Sequence, residues 1–305
     1  MSTSGSRSEP MTPHHPANDW DDGRWGIQEW LERTAWKGLK DTRYGRSPAD
    51  EPAHPGLVED PLLRKVYLLD LALFVAAERT SYLAVSAMMS FAPDEAAQMQ
   101  LGTQVLDECR HYEVFCRRIA EMGVSPEKRE SLVLRHTPPA LKSFYELILE
   151  QVDRRDFVAA SLAQNIILEG MAYPVYRYEI KYWSRFDPGL SRTIRGAFAD
   201  EAHHVGFGEQ IMASLVRRAS EAEKNRVTSL IQSFHQLMSE AFEQIIKFYI
   251  GLYQECANQY RELVGDVEIF PGKTLAELSE EEQARHLLQE IQREYQRRLA
   301  RIGLG

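Results

Sequence analysis

Two stretches of this sequence carry the same unusual motif. Asp107-Glu108-Cys109-Arg110-His111 and Asp200-Glu201-Ala202-His203-His204 both read Asp-Glu-x-x-His. On a helix, residues i and i+3 share a face, so Glu108 can point at the same spot as His111, and Glu201 at the same spot as His204. A hard carboxylate beside a neutral imidazole, offered twice, suits a pair of iron or manganese ions. A chain built around such a pair must bring two distant helices face to face and bury charge between them.

A lone Glu-x-x-His means little. With 45 acidic residues and nine histidines, chance supplies on the order of one match. The context carries the information. Each motif is preceded at similar distance by a glutamate set in an apolar helical face: Glu78, 30 residues before Glu108, and Glu169, 32 residues before Glu201. The order Glu, Glu-x-x-His, Glu, Glu-x-x-His is an internal repeat of two helical hairpins, each supplying half of a metal site. Arginine or tyrosine partners could satisfy any one of these six residues. Four carboxylates converging on one point, however, repel one another by several kcal/mol unless cations stand between them.

The rest of the chain reads as all-α. Residues 1–18 are rich in Ser, Pro and His and are expected to form a disordered tail. Residues 19–56 form a Trp-rich arm with a short amphipathic helix near 27–37, and 57–264 form a helical bundle. Asp60-Pro61 and Asp187-Pro188 are matching helix starts, an acceptor followed by a proline at the first helical position. The periodicity predicts helices over 61–90, 94–122, 139–185, 188–219 and 220–264, with Pro174 kinking the third just past Glu169. Residues 265–305 are expected to be a loop followed by a charged C-terminal helix, and no segment alternates as a strand would.

Composition excludes several classes. A net charge of −9 argues against nucleic acid and against a basic membrane anchor, and no stretch is apolar enough to span a bilayer. Three cysteines without a Cys-x-x-Cys spacing suit a reducing cytoplasm, and Cys109 and Cys116 read as small buried apolar residues.

The ordered set of Glu78, Glu108, His111, Glu169, Glu201 and His204 resembles the ferritin-like di-iron carboxylate superfamily, over about residues 57–260. That group includes the ribonucleotide reductase small subunit, bacterial multicomponent monooxygenases and natural-product N-oxygenases. The resemblance implies a four-helix bundle in which Glu78, Glu108 and His111 bind one iron and Glu169, Glu201 and His204 the other, with bridging carboxylates among them. It also implies that Asp200 holds His111 and Asp107 holds His204, fixing the imidazole tautomers. Departures narrow the activity. Phe115 stands where the reductase carries its radical tyrosine, Ala197 where aryl N-oxygenases carry an extra histidine, and Tyr173 where hydroxylating monooxygenases carry a threonine. Tyr173 is thus a candidate catalytic group, a hydrogen-bond donor near the metals or a pocket wall. Gly206 and Gly208 lie inside a helix, where each costs about 1 kcal/mol relative to alanine. Together with Ala197, Gly208 is expected to leave room for a small substrate. The run from Asp200 to Gly208 is also similar to stretches of azoxy-forming di-iron enzymes of the valanimycin type.

The expected function is that of an O2-activating non-haem di-iron oxidase or oxygenase, with two Fe (Mn being the alternative) and an external electron donor, either a protein or a small reductant. Oxidation at nitrogen of a small amine, hydrazine or hydroxylamine in a biosynthetic pathway leads. C–H hydroxylation or desaturation and ferritin-like iron handling are the alternatives, and a homodimer is expected.

Overall fold

The fold is that of a computed structural model, which describes residues 52–304. The expected disordered tail and nearly all of the Trp-rich arm, with its short helix, lie outside the described residues.

Helix α1 (Pro61–Met88) begins at Asp60, whose Oδ1 accepts from the Leu62 and Leu63 amides at 2.8 Å each. Helix α2 (Glu95–Glu121) begins at Asp94 and stops before Gly123, whose φ of +76° suits a residue without Cβ. The Asp-Pro start of the later long helix does more than cap it. Asp187 Oδ1 accepts from the Leu190 amide, while its Oδ2 accepts from the Tyr67 hydroxyl of α1 at 2.8 Å and from Arg118 of α2 at 3.0 Å. One buried carboxylate therefore ties three bundle helices together.

The expected helix over 139–185 is divided. Pro126, which reads as a terminator, instead opens α3 (Pro126–His136) behind a Ser125 cap. Helix α4 (Pro139–Asp153) ends at a turn in which Arg155 takes φ 55°. Asp156 then restarts the chain by accepting from the Ala159 amide at 3.0 Å, giving α5 (Phe157–Ser161). From Leu162 to Glu169 the turns widen into a π-helix, and α6 (Gly170–Tyr182) continues it. The helical face is apolar on both sides of this turn, so periodicity alone shows no boundary.

Helix α7 (Pro188–Arg218) carries the second motif, and α8 (Glu221–Gln259) follows, shorter than expected. Where a loop was expected, β1 (Glu268–Phe270) and β2 (Lys273–Thr274) form an antiparallel hairpin around Pro271-Gly272, with Gly272 at φ +69°. Strands of three and two residues are too short to show alternation in a sequence. Helix α9 (Glu280–Arg301) starts at the Ser279–Glu282 capping box.

Helices α1, α2, α7 and the π–α6 segment surround the centre; α4 and α8 cover one flank, and α9 lies along α6. The apolar core is continuous from Leu63 and Val66 through Phe144 and Ile166 to Ile291. Each fully buried leucine or phenylalanine contributes about 1.5–3 kcal/mol, which offsets the cost of charge held at the middle. Cys116 is buried as expected; Cys109 is exposed, because the position after Glu108 falls on the outer face of α2. No described helix is long and apolar enough to cross a membrane.

Candidate metal centre

Six donors converge at the centre of the bundle, each at most 5% exposed: Glu78 from α1, Glu108 and His111 from α2, Glu169 from the end of the π-helix, and Glu201 and His204 from α7. They fall into two overlapping groups. Donor atoms of Glu78, Glu108, His111 and Glu201 lie within 4.8 Å of one another, and so do those of Glu108, Glu169, Glu201 and His204. His111 Nδ1 is 3.4 Å from Glu78, 3.8 Å from Glu108 and 3.6 Å from Glu201. His204 Nδ1 is 3.2 Å from both Glu108 and Glu201. Glu108 and Glu201 are thus shared by both groups, while Glu78 and Glu169 each belong to one. The shared pair occupies the place of bridging carboxylates.

The far side of each imidazole is held across the bundle. His111 Nε2 lies 2.9 Å from Asp200 Oδ2, and His204 Nε2 lies 3.3 Å from Asp107 Oδ2. Each motif thus supplies the aspartate that faces the other's histidine. Arg110 bonds both Asp200 and Asp107, the latter at 3.3 Å, so it neutralises the aspartates and leaves the inner carboxylates without a guanidinium. His203, next to the donor His204, instead lies 3.0 Å from Gln100 Oε1; burial, with the nearby His204, pushes its pKa down to about 3.

The π-helix gives Glu169 an unusual setting. Gln164 and Asn165 both turn inward with it. Gln164 Nε2 donates to Glu169 Oε1 at 3.0 Å, Asn165 Nδ2 donates to Oε2 at 3.1 Å, and Gln104 Nε2 of α2 donates to Oε1 at 2.6 Å. Three carboxamides therefore orient one carboxylate. In an α-helix, Gln164 would lie well to one side of Glu169; the wider π turn stacks i over i+5. Gln104 and Gln164 are site residues that sequence reasoning missed. Gln104 was discoverable, four residues before Glu108 on the same face; Gln164 was not, because the π register is invisible in the spacing. Beyond the π-helix, Pro174 sits inside α6 and lacks the amide that would have bonded the Gly170 carbonyl.

Do these residues fit a pair of divalent cations? Four carboxylates and two imidazoles share a dry space, and three of their atoms, Glu78 Oε1, Glu108 Oε2 and His111 Nδ1, have no hydrogen-bond partner. Burial pushes the Glu78 and Glu169 carboxyls well up. Burial opposes charge on His111 and His204, yet the surrounding carboxylates hold both imidazoliums well above the usual range. Protein alone thus needs several extra protons to neutralise the site. Two divalent ions would supply that charge, with Nδ1 of each histidine free to donate its lone pair because Nε2 is engaged. Carboxylate and imidazole are the donor types that iron and manganese take.

Two tyrosines of α6 approach Glu201. The Tyr173 hydroxyl donates to the Glu201 main-chain carbonyl at 3.2 Å, and Arg298 of α9 lies over its ring at 4.3 Å. Tyr176, one turn on, brings its hydroxyl to 3.5 Å from Glu201 Oε1. Phe115 is fully buried and stacks on Phe74 with ring centroids 4.4 Å apart. Ala197 is buried in the core. At Gly208 a Cβ would fall 2.5 Å from Asn165 Cβ, so the missing side chain lets α7 close onto the π-helix. The space beside the centre opens elsewhere. An almost wholly apolar cavity of about 90 Å³ lies between α1, α4, α6 and α8, and Phe74, Ala77, Leu168 and Tyr176 are among its walls. None of the six donors lines it; Tyr176, in its wall, is the link, with its hydroxyl 3.5 Å from Glu201 Oε1, and neither Ala197 nor Gly208 lines it.

A helical bundle with a buried, twofold-repeated carboxylate–histidine cluster defines the ferritin-like di-iron class of proteins. Residues 63–268 match the family described as ribonucleotide reductase, small chain. The chain belongs to that family, a group of ferritin-like oxidoreductases. Among solved structures it is similar to variants of the R2-like ligand-binding oxidase. One, with an anaerobically reconstituted Mn/Fe cofactor, is 18% identical, covers 94% of this chain and 96% of its own, and gives a TM-score of 0.63. A second, also anaerobically reconstituted, is 20% identical over 90% of this chain and 95% of its own, with a TM-score of 0.60. At such identities the likeness shows the fold. None of the curated proteins matches the sequence.

Proposed function

We propose that this chain is an O2-activating non-haem dimetal oxidase acting on a small organic molecule. In this reading Glu78, Glu108 and His111 would hold one metal and Glu169, Glu201 and His204 the other, with Glu108 and Glu201 within reach of both. The metals are two Fe, with Mn in one position as the alternative; the R2-like ligand-binding oxidases named above carry Mn/Fe. The observation that carries the proposal is the pair of overlapping donor groups, with an apolar cavity linked to them through Tyr176.

When bound, a reduced metal pair supplies electrons to O2, and an external donor restores them. The chain's own residues do the rest. Asp200 and Asp107 keep the proton of each imidazole on Nε2 and aim Nδ1 inward. Gln104, Gln164 and Asn165 hold Glu169 in one orientation, so a carboxylate does not have to reorganise during turnover. Tyr173 remains a catalytic candidate through its hydrogen bond to the Glu201 carbonyl, and Tyr176 joins it, its hydroxyl placed to donate a hydrogen bond to Glu201 Oε1. The burial of all six donors keeps bulk water from the reacting atoms.

Oxidation at nitrogen of an amine, hydrazine or hydroxylamine in a biosynthetic pathway is the specific reaction we put forward. C–H hydroxylation or desaturation is the second reading, favoured by the apolar walls. Iron storage is disfavoured by those same walls, since a route for hydrated iron would be lined with carboxylates. A cytoplasmic homodimer served by a separate electron donor completes the proposal. The test is to load the protein with ferrous iron, count metals per chain, add O2, and analyse products from amine substrates by mass spectrometry under 18O2. Two metals, O2 uptake and an oxidised organic product support the reading; unlimited iron uptake with mineral formation and no organic product overturns it.

A further inference from the structure

Glu179 of α6 is the one charged group among the walls of the apolar cavity. It is 4% exposed, and its Oε2 has no hydrogen-bond partner. It also lines the smaller cavity that adjoins on the side of Tyr249 and Tyr253. A buried carboxylate without a partner is costly, and nothing in the bundle's packing explains why one is kept here. The nearest buried acid, Asp70, is fully engaged: Trp183 Nε1 donates to Oδ2 at 2.7 Å and the Tyr253 hydroxyl to Oδ1 at 2.5 Å. Asp70 therefore offers Glu179 no hydrogen bond, only like charge. Burial first, and Asp70 second, push the Glu179 carboxyl well up, and no cation offsets them. The rings of Phe74, Tyr145, Tyr176 and Phe242 line the same cavity. Aromatic faces attract cations, most strongly where water is excluded.

We propose that Glu179 anchors the protonated amino group of the substrate, a small amine whose apolar body fills the cavity. The charge-assisted hydrogen bond supplies the partner that Oε2 lacks, and the rings line the space beside it. Tyr176 lines the same cavity and brings its hydroxyl to 3.5 Å from Glu201 Oε1, so the cavity leads from Glu179 towards the metal centre. An ammonium held at Glu179 has no free electron pair and stands about 15 Å along α6 from Glu169, with its apolar body on the side of the centre. The anchor therefore goes with the second reading, oxidation at carbon, and not with oxidation at nitrogen. Glu179 acts as a specificity residue: it selects amines over neutral molecules of equal length. As a claim about the substrate of that centre it rests on the oxidase reading, but binding is measured without turnover.

The experiment is calorimetric titration of the metal-loaded protein, without O2, using n-hexylamine and the length-matched 1-hexanol. Wild type is expected to bind the amine about 10- to 100-fold more tightly than the alcohol. Glu179→Gln is expected to abolish that preference while leaving alcohol binding and metal content unchanged. Equal binding of both probes by wild type, or an amine preference that survives in Glu179→Gln, overturns the proposal. Should Glu179→Gln not fold, Glu179→Asp keeps the charge and withdraws it by one methylene. It is expected to weaken the amine selectively, and an equal loss for both probes overturns the anchor. Failure here with two metals and O2 uptake intact leaves the oxidase reading standing; loss of metal or O2 uptake in wild type is the failure of that reading instead.

Discussion

Acid is buried in several parts of the bundle, and two of them resolve the charge differently. At the metal centre four carboxylates face two imidazoles, and aspartates with Arg110 complete the outer ring. Near Glu179 there are only two carboxylates: one saturated by an indole and a phenol, the other with a bare oxygen. The first region has the donor number and the imidazoles of a permanent cation site. The second has one available oxygen, aromatic walls and an adjoining space, features of a site occupied in passing. Buried charge needs compensation wherever it occurs; the number and type of neighbouring donors decide whether a resident metal or a visiting ligand supplies it.

The comparison breaks most visibly at the centre. Glu108→Ala and His204→Ala should each reduce the metal content from two ions per chain to one or none, read by elemental analysis. Retention of two ions in both variants would remove the basis for the donor assignment. Next in size, Asp107→Asn and Asp200→Asn should weaken metal affinity about 10- to 100-fold, because an amide orients imidazole less firmly than a carboxylate. Competition with a chelator measures this, and wild-type affinity in both variants would reduce the pair to partners of Arg110.

The acid region makes the opposite prediction about pH. Burial pushes Asp70 up to about 7, against the hydrogen bonds from Tyr253 and Trp183. The folded chain then keeps a proton that the unfolded chain releases near the ordinary aspartate value of 3.8. Such a group favours folding fully at low pH, and its contribution is lost as pH rises through 7. Between pH 5 and 8 the loss should be roughly 1–3 kcal/mol, and Asp70→Asn should flatten that part of the slope. Urea unfolding of the metal-loaded proteins at several pH values checks it; parallel slopes would show that Asp70 titrates normally. The smallest effect is expected at Gly208→Ala. Overpacking against Asn165 costs about 1–3 kcal/mol and the better helix propensity of alanine returns about 1, so a net loss near 1 kcal/mol should lower the melting temperature by a few degrees. An unchanged or higher melting temperature would mean that α7 and the π-helix have room to spare, as a pocket on that side requires.

Much of the bundle was legible because it depends on local chemistry. Asp60-Pro61 and Asp187-Pro188 cap helices where they stand, since a carboxylate and the next few amides are all that a cap needs. The spacing of Glu-x-x-His fixes which residues share a face, and two lone acids on apolar faces, Glu78 and Glu169, mark where the other helices meet them. The same local rules account for errors. Pro126 both ends one helix and starts another, and the turn at Arg155 lies within a face that stays apolar on both sides.

What the sequence determined by itself was therefore the set of six donors and the helices that carry them, because helical period is a property of adjacent residues. Only the tertiary structure decided the rest. The π register stacks Gln164 over Glu169 where α7 packs closely at Gly208. The reach of Gln104 across 65 residues to Glu169 depends on where two helices cross. Where the Tyr173 and Tyr176 hydroxyls end, one on the Glu201 carbonyl and one 3.5 Å from its Oε1, depends on how α6 packs against α7. The cavity on the α1–α6 side, with Glu179 in its wall, exists only where four helices fail to close. Each of these is a relation between surfaces far apart in the chain, and no local period encodes it.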